Sequence, residues 1–208
     1  GYGGADIWMS KRHNTVWLDP VNLGPFINTS SDESTPYLHY DNTTFYFASK
    51  GHNGFGGFDL YVAKIDNNGD ITSVSNLGYP INTYHNESGL IVSRNGKKAY
   101  YNSDFSGDLN IYSFNLPKKD QANKIAFVNG FIIDSISRVG VKADVLINKG
   151  HQVDEYNLKS DQDGEFSVTL PDNAIVVDIA GIYGDYDCKN VIFLGSDGYL
   201  YGAVGGSG

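Results

Sequence analysis

Residues 1–112 contain a repeated sequence, which constrains the fold more than any other feature of the chain. Asn-Leu-Gly-Pro-Phe-Ile-Asn-Thr at residues 22–29 returns at 76–83 as Asn-Leu-Gly-Tyr-Pro-Ile-Asn-Thr, an offset of 54 residues. The pair Glu33-Ser34 returns at the same offset as Glu87-Ser88. Repeats of roughly 40–50 residues built from short strands are typical of β-propeller blades or linear arrays. Because one such unit cannot bury its own apolar face, the repeat predicts sheets that stack on one another.

A second motif strengthens this repeat. Gly-Gly-Ala-Asp-Ile-Trp at residues 3–8 returns at 56–61 as Gly-Gly-Phe-Asp-Leu-Tyr, an offset of 53, and residues 108–112 are a weaker third copy. The pattern predicts short apolar and aromatic strands, with Asn-Gly at 95–96 as a hairpin signal. The predicted strands are 44–49, 59–65, 87–92 and 98–103. Strands separated by turns at this spacing predict one four-stranded blade per repeat.

The composition agrees with an all-β chain. Tyr (15), Phe (11) and Gly (25) are abundant and sustained helical periodicity is missing, so we expect almost no helix. The net charge of −9 argues against a nucleic-acid partner, because phosphate binding needs clustered Lys and Arg. The sequence shows no transmembrane run and no signal peptide, and its single cysteine permits no disulfide within the chain.

The chain changes character after the repeats. We predict propeller blades over residues 1–117, a polar linker over 118–125, a small β-sandwich over 126–180 and an unassigned hairpin or tail over 181–208. In the sandwich, alternating apolar and polar residues from Phe166 to Leu170 are typical of a half-buried strand.

The number of repeats is too small to close a ring. Propellers typically have about four to eight blades, whereas this chain carries two near-complete repeats and part of a third. The chain begins at Gly1 within a repeat and without Met, so we expect it to be part of a longer protein. The alternative is an open array, whose exposed edge strands would favour aggregation.

The motifs resemble two known module families. Gly-Gly-x-Asp-Ile/Leu-Trp/Tyr, Asn-Leu-Gly-x-x-Ile-Asn-Thr, the Glu-Ser pair and the Tyr-Phe-Ala-Ser strand at 46–49 resemble the PD40, or WD40-like, propeller repeats of bacterial periplasmic proteins. Residues 128–134, 141–145 and 160–166 resemble a carboxypeptidase-regulatory-like (transthyretin-like) sandwich. That module is accessory and carries no peptidase chemistry.

This order of modules is similar to the OmpA-family lipoproteins of Bacteroidota, in which a peptidoglycan-binding OmpA-like domain follows. The resemblance covers roughly residues 1–172. It implies a periplasmic, outer-membrane-associated location, protein partners in the envelope, and a link to type IX secretion, gliding or peptidoglycan-linked machinery. The sequence contains no OmpA-like domain, so no peptidoglycan-binding residue carries over, and the expected aromatic-glycine ending is missing after Asn173.

The repeated polar residues are expected to be structural. Asp6, Asp59 and Asn110 occupy equivalent positions, where a short polar side chain can hold a turn in every blade. Glu33 and Glu87 supply one carboxylate to each repeat, so we do not interpret them as an acid–base pair.

Two Asp-rich turns resemble calcium loops only in part. Residues 66–70 (Asp-Asn-Asn-Gly-Asp) are followed by Ile71 where an EF-hand loop has Gly, and by Leu77 where it has a bidentate Glu. We interpret this segment, and the turn containing Asp161 and Asp163, as turns without a metal. We expect no cofactor.

Among the remaining reactive side chains, His52 is the most interesting. It lies with Phe55 in the 51–57 loop, which is long enough to contact a partner, although a solvated loop histidine is the competing interpretation. The sequence has no Gly-x-Ser-x-Gly elbow and no phosphate-binding loop, and Cys188 has no evident histidine partner. The histidines have no metal-ligand spacing; they are His13, His39, His52, His85 and His151.

Taken together, these features predict a non-enzymatic scaffold that presents loops to protein partners in the cell envelope. The alternative is a carbohydrate-binding accessory module, in which Trp8 and Trp17 stack on sugars. An enzyme ranks third because no catalytic set is recognised. Burial of both tryptophans would remove the best glycan contacts, whereas exposed and adjacent tryptophans would favour them.

Overall fold

The computed structural model describes residues 1–13, 16–66, 68–133, 137–149, 152–171, 177–183, 186–194 and 200–202. Within them the protein is all-β, with antiparallel sheets that do not close on themselves, which confirms the predicted all-β class. The helical content of these residues is a single 3-10 turn at Lys118–Asp120. The chain divides into two units, Gly1–Lys124 and Ile125–Gly208.

The first unit begins with four two-residue strands that form two small antiparallel ladders. In one ladder β1 pairs with β4, so that Trp8 lies opposite Asn22; in the other β2 pairs with β3, so that Arg12 lies opposite Trp17. The strands are β1 (Trp8–Met9), β2 (Arg12–His13), β3 (Val16–Trp17) and β4 (Val21–Asn22).

Two larger sheets follow, each with neighbouring strands in chain order. The four-stranded sheet, called sheet 1, consists of β5 (Glu33–Leu38), β6 (Thr44–Ser49), β7 (Asp59–Ile65) and β8 (Ile71–Asn76). The three-stranded sheet, called sheet 2, consists of β9 (Glu87–Val92), β10 (Lys98–Ser103) and β11 (Asn110–Asn115). The strands predicted at 44–49, 59–65, 87–92 and 98–103 coincide with β6, β7, β9 and β10.

The repeat is visible in the strand register. Ser49 pairs with Asp59 in sheet 1, and Ser103 pairs with Asn110 in sheet 2. Consequently Leu60 of β7 corresponds to Ile111 of β11, since each follows the equivalent pair by one residue.

An irregularity in the first strand of each sheet also recurs. The register of β5 shifts after Ser34, and the register of β9 shifts after Ser88. The residues at these shifts, Thr35 and Gly89, both have positive φ, +46° and +63°. In a β-bulge of the G1 type, the first bulged residue adopts this left-handed conformation.

Two equivalent apolar clusters hold these layers together. The first joins Ile7 and Ile27, from the region of the β1–β4 ladder, to sheet 1. The second joins sheet 1 to sheet 2. Leu60 and Ile81 in the second cluster correspond to Ile7 and Ile27 in the first. All six residues of β6 are buried because both faces of sheet 1 are covered. Burial of such side chains contributes roughly 1.5–3 kcal/mol each, so stacking is the main source of stability here.

Residues 116–123 belong to the first unit and pack against its sheets and turns. The Tyr46 hydroxyl donates to the Asp120 carbonyl at 2.8 Å, and the Lys64 ammonium donates to the Gln121 carbonyl at 2.9 Å. The Asn123 backbone N–H donates to the Asp41 carboxylate at 2.7 Å. Much of the segment that the sequence predicts as a linker is therefore anchored by hydrogen bonds to sheet 1 and its turns.

The described residues of the second unit form two antiparallel sheets. One pairs β12 with β15, and the other has the order β14-β13-β16-β17-β18. The strands are β12 (Ile125–Phe131), β13 (Asp144–Lys149), β14 (Gln152–Lys159), β15 (Glu165–Pro171), β16 (Val177–Tyr183), β17 (Tyr186–Leu194) and β18 (Leu200–Gly202). Gly130 pairs with the buried Phe166, whose ring occupies the space that a side chain at Gly130 would need.

The last two strands pair antiparallel, with Leu194 opposite Leu200. The intervening turn that the sequence predicts at 195–198, like the end of the chain from residue 203, lies outside the described residues. His151 also lies outside them, and of Cys188 only the backbone position within β17 is described.

Candidate functional site

The repeated asparagines are used to hold the layers. Asn28 accepts a hydrogen bond from the Ile7 backbone N–H at 2.8 Å and donates to the Ile7 carbonyl at 2.9 Å. One repeat later, Asn82 makes the same two bonds to the backbone of Leu60, both at 2.8 Å. Both side chains are buried, so they act as substitutes for strand pairing rather than as ligand contacts.

The repeated glutamates are likewise committed to structure. Glu33 accepts hydrogen bonds from the Thr29 backbone N–H at 2.8 Å, the Thr29 hydroxyl at 2.7 Å and the Ser49 hydroxyl at 2.7 Å. Glu87 accepts the equivalent bonds, from Thr83 N–H at 3.0 Å, Thr83 Oγ1 at 2.7 Å and Ser103 Oγ at 3.1 Å. Each carboxylate is buried and fastens the turn before its strand to the next strand.

The three residues at the Asp/Asn repeat position hold the loops that precede their strands. Asp6 accepts from the Tyr2 backbone N–H at 2.7 Å, and Asp59 accepts from the Phe55 backbone N–H at 2.8 Å. Asn110 donates to the Ser106 hydroxyl at 2.9 Å. Burial raises the pKa of the Asp59 carboxyl above its ordinary value, against the opposing effect of its backbone hydrogen bonds.

The two Asp-rich segments form turns that use their own carboxylates. Asp66 Oδ1 accepts from the backbone N–H groups of Asn68 and Asp70, both at 2.9 Å. Asp161 Oδ1 accepts from the N–H groups of Asp163 and Glu165 at 2.9 and 2.8 Å. In the part of the chain that the structure describes, no group of three or more His, Cys, Asp or Glu side chains is arranged to hold a metal ion.

His52 points toward the protein, whereas its neighbour Phe55 is exposed. His52 Nε2 lies 2.9 Å from the Ile27 carbonyl, and its ring centroid lies 5.1 Å from that of Tyr61 and 5.7 Å from that of Phe47. These contacts fix the base of the 51–57 loop. Phe55, 55% exposed, is the large apolar side chain of this loop that is available to a partner.

Both tryptophans are exposed, Trp8 by 53% and Trp17 by 66%. They lie in different ladders, β1–β4 and β2–β3. Trp8 is the repeat equivalent of Tyr61, which is buried in the cluster that Ile7 and Ile27 form with sheet 1. Trp8 therefore occupies a position that is buried in the next repeat, and its exposure alone does not define a sugar site.

A cluster that sequence reasoning did not single out lies in the loops of the second repeat. It consists of Tyr84, His85, Asp104 and Phe105, here called the His85 cluster. The His85 ring centroid lies 4.1 Å from that of Tyr84 and 5.5 Å from that of Phe105. His85 Nδ1 lies 3.3 Å from Asp104 Oδ1. Tyr84 is 75% exposed and Phe105 58% exposed, so two aromatic rings stand in solvent beside a carboxylate.

Asn86 positions the carboxylate of this cluster. Its backbone N–H and its side-chain amide each donate to Asp104 at 2.9 Å. The backbone hydrogen bond from Asn86, followed by that from its amide group, holds the pKa of the Asp104 carboxyl below its ordinary value. Asp104 is therefore charged at neutral pH.

The signal that could have identified the cluster is a difference between the repeats. Tyr84, His85, Asp104 and Phe105 replace Ser30, Ser31, Lys50 and Gly51 of the preceding repeat. The turn-holding residues on either side are unchanged, with Thr83 and Ser103 in place of Thr29 and Ser49. A rigid turn with a new set of exposed side chains is where a repeat protein changes its ligand.

The arrangement of exposed groups is the available guide to function. No helix in the described residues is long and apolar enough to cross a membrane. Comparison of the chain with models of known protein families and with curated proteins finds no match.

Proposed function

We propose that this chain is a non-enzymatic scaffold that binds protein partners in the cell envelope. The supporting observation is a division of labour between residues. The repeated polar side chains, such as Glu33 and Glu87, are buried in turn-holding hydrogen bonds, whereas the exposed aromatic side chains of Phe55, Tyr84 and Phe105 lie in loops that differ between repeats. Aromatic residues exposed on rigid loops are typical of protein-binding surfaces.

The proposed architecture of the first unit is a partial β-propeller of about two blades plus a fragment. Sheet 1 has the four antiparallel strands of a blade, and the equivalent apolar clusters on its two faces repeat the same packing. In a propeller, Trp8 and the outer face of sheet 2 would each be covered by a further blade. The two sheets of the second unit support the proposal of a transthyretin-like sandwich.

The proposed setting is the periplasm, within an OmpA-like, outer-membrane-associated protein. This part of the proposal rests on the PD40-like motifs and the order of the two units. The protein would contribute to secretion or to anchoring at the cell wall, with any contact to peptidoglycan made by other domains.

Photocrosslinking in the producing cells tests the scaffold proposal. Benzoylphenylalanine placed at Phe55 or Tyr84 is expected to yield discrete protein adducts in the envelope fraction. The matched control is Tyr40, which is also exposed but lies in the turn between β5 and β6. Adducts of equal yield at Tyr40, or adducts formed only with cytoplasmic proteins, would contradict the proposal.

A second candidate is a carbohydrate-binding module, favoured by the exposure of Trp8 and Trp17. Stacking of a sugar on either ring should quench tryptophan fluorescence on titration with soluble envelope glycans. Loss of quenching in Trp17→Ala, with no protein adducts at Phe55 or Tyr84, would favour this candidate over the scaffold. Unchanged fluorescence would remove it.

A further inference from the structure

The first repeat shows how its own loop holds a cation. The ammonium of Lys50 lies 3.0 Å from the Asp32 carboxylate and 4.5 Å from the centroid of the Phe58 ring. A carboxylate and an aromatic face thus hold one lysine head group from two sides. This combination of an ion pair with a cation–π contact is an ordinary way to bind an ammonium or guanidinium group.

The second repeat again combines a carboxylate with aromatic rings, but it places them at other positions and has no lysine there. The position of Lys50 is taken by Asp104, and the position of Asp32 by Asn86. The backbone N–H and the side-chain amide of Asn86 each donate to Asp104, so the carboxylate now lies on the other side of the turn and is held there. Instead of supplying its own cation, this loop presents an anion next to exposed rings.

The His85 cluster places two exposed aromatic rings and a carboxylate around one imidazole. His85 contacts both aromatic rings, with the Phe105 ring at an interplanar angle of 73° to the imidazole and the Tyr84 ring at 36°. Both rings are largely exposed, so a cation that approaches Asp104 can also contact an aromatic face. Asp104, with its side chain 37% exposed, adds a full negative charge there.

The charge of the whole chain selects the same kind of guest. A net charge of −9 repels acidic partners and attracts basic ones over distances up to about a Debye length, roughly 8–10 Å. A neutral sugar would use the rings but would gain nothing from the long-range field. A basic side chain would gain from contact with the rings and also from attraction by the negative charge.

We infer that the His85 cluster binds a lysine or arginine side chain of a protein partner. This inference rests on the proposed scaffold function and names the chemistry that the partner must present. The side chain would lie along the Tyr84 and Phe105 rings, with its charged end toward Asp104, as Lys50 lies between Asp32 and Phe58 in the preceding repeat.

The test is a nuclear magnetic resonance titration of the whole chain, labelled with ¹⁵N, with Nα-acetyl-lysine amide. The neutral isostere Nα-acetyl-norleucine amide is the reference probe, and both are used at matched ionic strength. We expect saturable shifts centred on the amides of residues 84–86 and 104–105, at least fivefold weaker binding of the norleucine probe, and weaker binding of the lysine probe at high salt.

Three variants locate the effect. Tyr84→Leu removes an aromatic face at a strongly exposed position, and Asp104→Asn removes the charge; each should weaken lysine binding at least fivefold. Tyr79→Ala, which removes an exposed tyrosine from the neighbouring turn, should bind like the native chain. Spectra of each free variant show whether it is folded.

Several outcomes would overturn the inference: equal shifts with norleucine, no saturable shifts, or equal losses in Tyr79→Ala and Tyr84→Leu. Tighter binding of tetramethylammonium than of the lysine probe would also overturn it, because the site would then fit a free quaternary amine. The result is separable from the scaffold proposal. Protein adducts at Phe55 without lysine binding would retain the scaffold and reject the basic-side-chain site.

Discussion

Sheet 1 and sheet 2 are built from the same repeat but differ in burial. Leu60 in sheet 1 is completely buried, whereas its equivalent in sheet 2, Ile111, is 76% exposed. Each residue follows an equivalent cross-strand pair, but β7 is paired on both sides, with β6 and β8, whereas among the described residues β11 is paired only with β10. The number of layers that cover the sheet also differs, since sheet 1 has an apolar cluster on each of its two faces. The repeat sequence specifies a sheet, and the neighbouring layer decides whether an apolar position of that sheet is core or surface.

The turns of the two repeats, unlike the strands, have the same environment in both copies. The hydrogen bonds around Glu33 and Glu87 are the same because the residues that make them are the same. The exposed loop residues beside them differ in charge and aromatic content. In this chain the invariant positions build the frame, and the variable positions beside it carry the candidate binding chemistry.

The largest difference in the free energy of unfolding is expected between Leu60→Ala and Ile111→Ala. Leu60→Ala should lower the free energy of unfolding of the first unit by about 3–4 kcal/mol, because it leaves a cavity between two sheets. Ile111→Ala should change it by less than about 0.5 kcal/mol. Guanidinium unfolding followed by tryptophan fluorescence reports on this unit, since Trp8 and Trp17 both lie in it. A comparable loss for Ile111→Ala, increasing with protein concentration, would mean that a second copy covers sheet 2.

Glu33→Gln and Glu87→Gln should each lower the free energy of unfolding by about 2 kcal/mol. The amide places an NH₂ group where a carboxylate oxygen now accepts a hydrogen bond, and the site is too buried for water to replace it. Because the two networks are equivalent, the losses should agree within about 0.5 kcal/mol. Glu165→Gln, at an exposed position in β15, is the control. A large inequality in denaturant unfolding would show that the two turns differ in energy despite their matching contacts.

Asp41→Asn should lower the stability of the first unit in a pH-dependent way. The second repeat has no equivalent carboxyl group, since the residue there is already Asn95. Burial opposes ionisation of Asp41, but hydrogen bonds from the Asn123 backbone N–H and from the turn hold the pKa of its carboxyl below the ordinary value of 3.8. A lowered folded-state pKa stabilises the fold above the unfolded pKa, and this contribution disappears as the pH falls through the folded-state value.

The native chain should therefore exceed Asp41→Asn in stability by about 1.5 kcal/mol at pH 7. The difference should persist to about pH 4 and shrink below it. Urea unfolding of both proteins from pH 7 to pH 2 measures the difference. A difference that grows on acidification would reverse the sign of the effect and reject the explanation.

The smallest effect concerns the equivalent bulge residues Thr35 and Gly89. Gly89→Ala should lower the free energy of unfolding by about 1 kcal/mol, because a residue with a side chain is strained at φ +63°. Thr35→Gly should change stability by less than about 0.5 kcal/mol, since relief of strain at φ +46° is offset by loss of the Thr35 hydroxyl bond to the Gly89 N–H at 3.0 Å. Chemical unfolding measures both. A clear stabilisation by Thr35→Gly would show that this hydroxyl bond contributes little.

Several elements could be predicted from the sequence because their causes are local. The strands β6, β7 and β10 follow from runs of aromatic and β-branched residues between turn signals, and their predicted bounds agree with the structure. The Asp66 turn follows from a side chain that bonds its own backbone nearby. The candidate site was less accessible, since single residues such as His52 stand out in sequence whether they point outward or inward.

By itself, the sequence determined the all-β class, the repeat and the identity of the residues that hold each turn, because these depend on side-chain chemistry over short separations. Only the tertiary structure decided which copies of a repeated position are buried. It also directed His52 toward Ile27 and brought residues 84–85 next to residues 104–105. The physical reason is that burial and convergence depend on what stacks across a sheet, and contacts between residues far apart in the chain leave no periodic mark in the sequence.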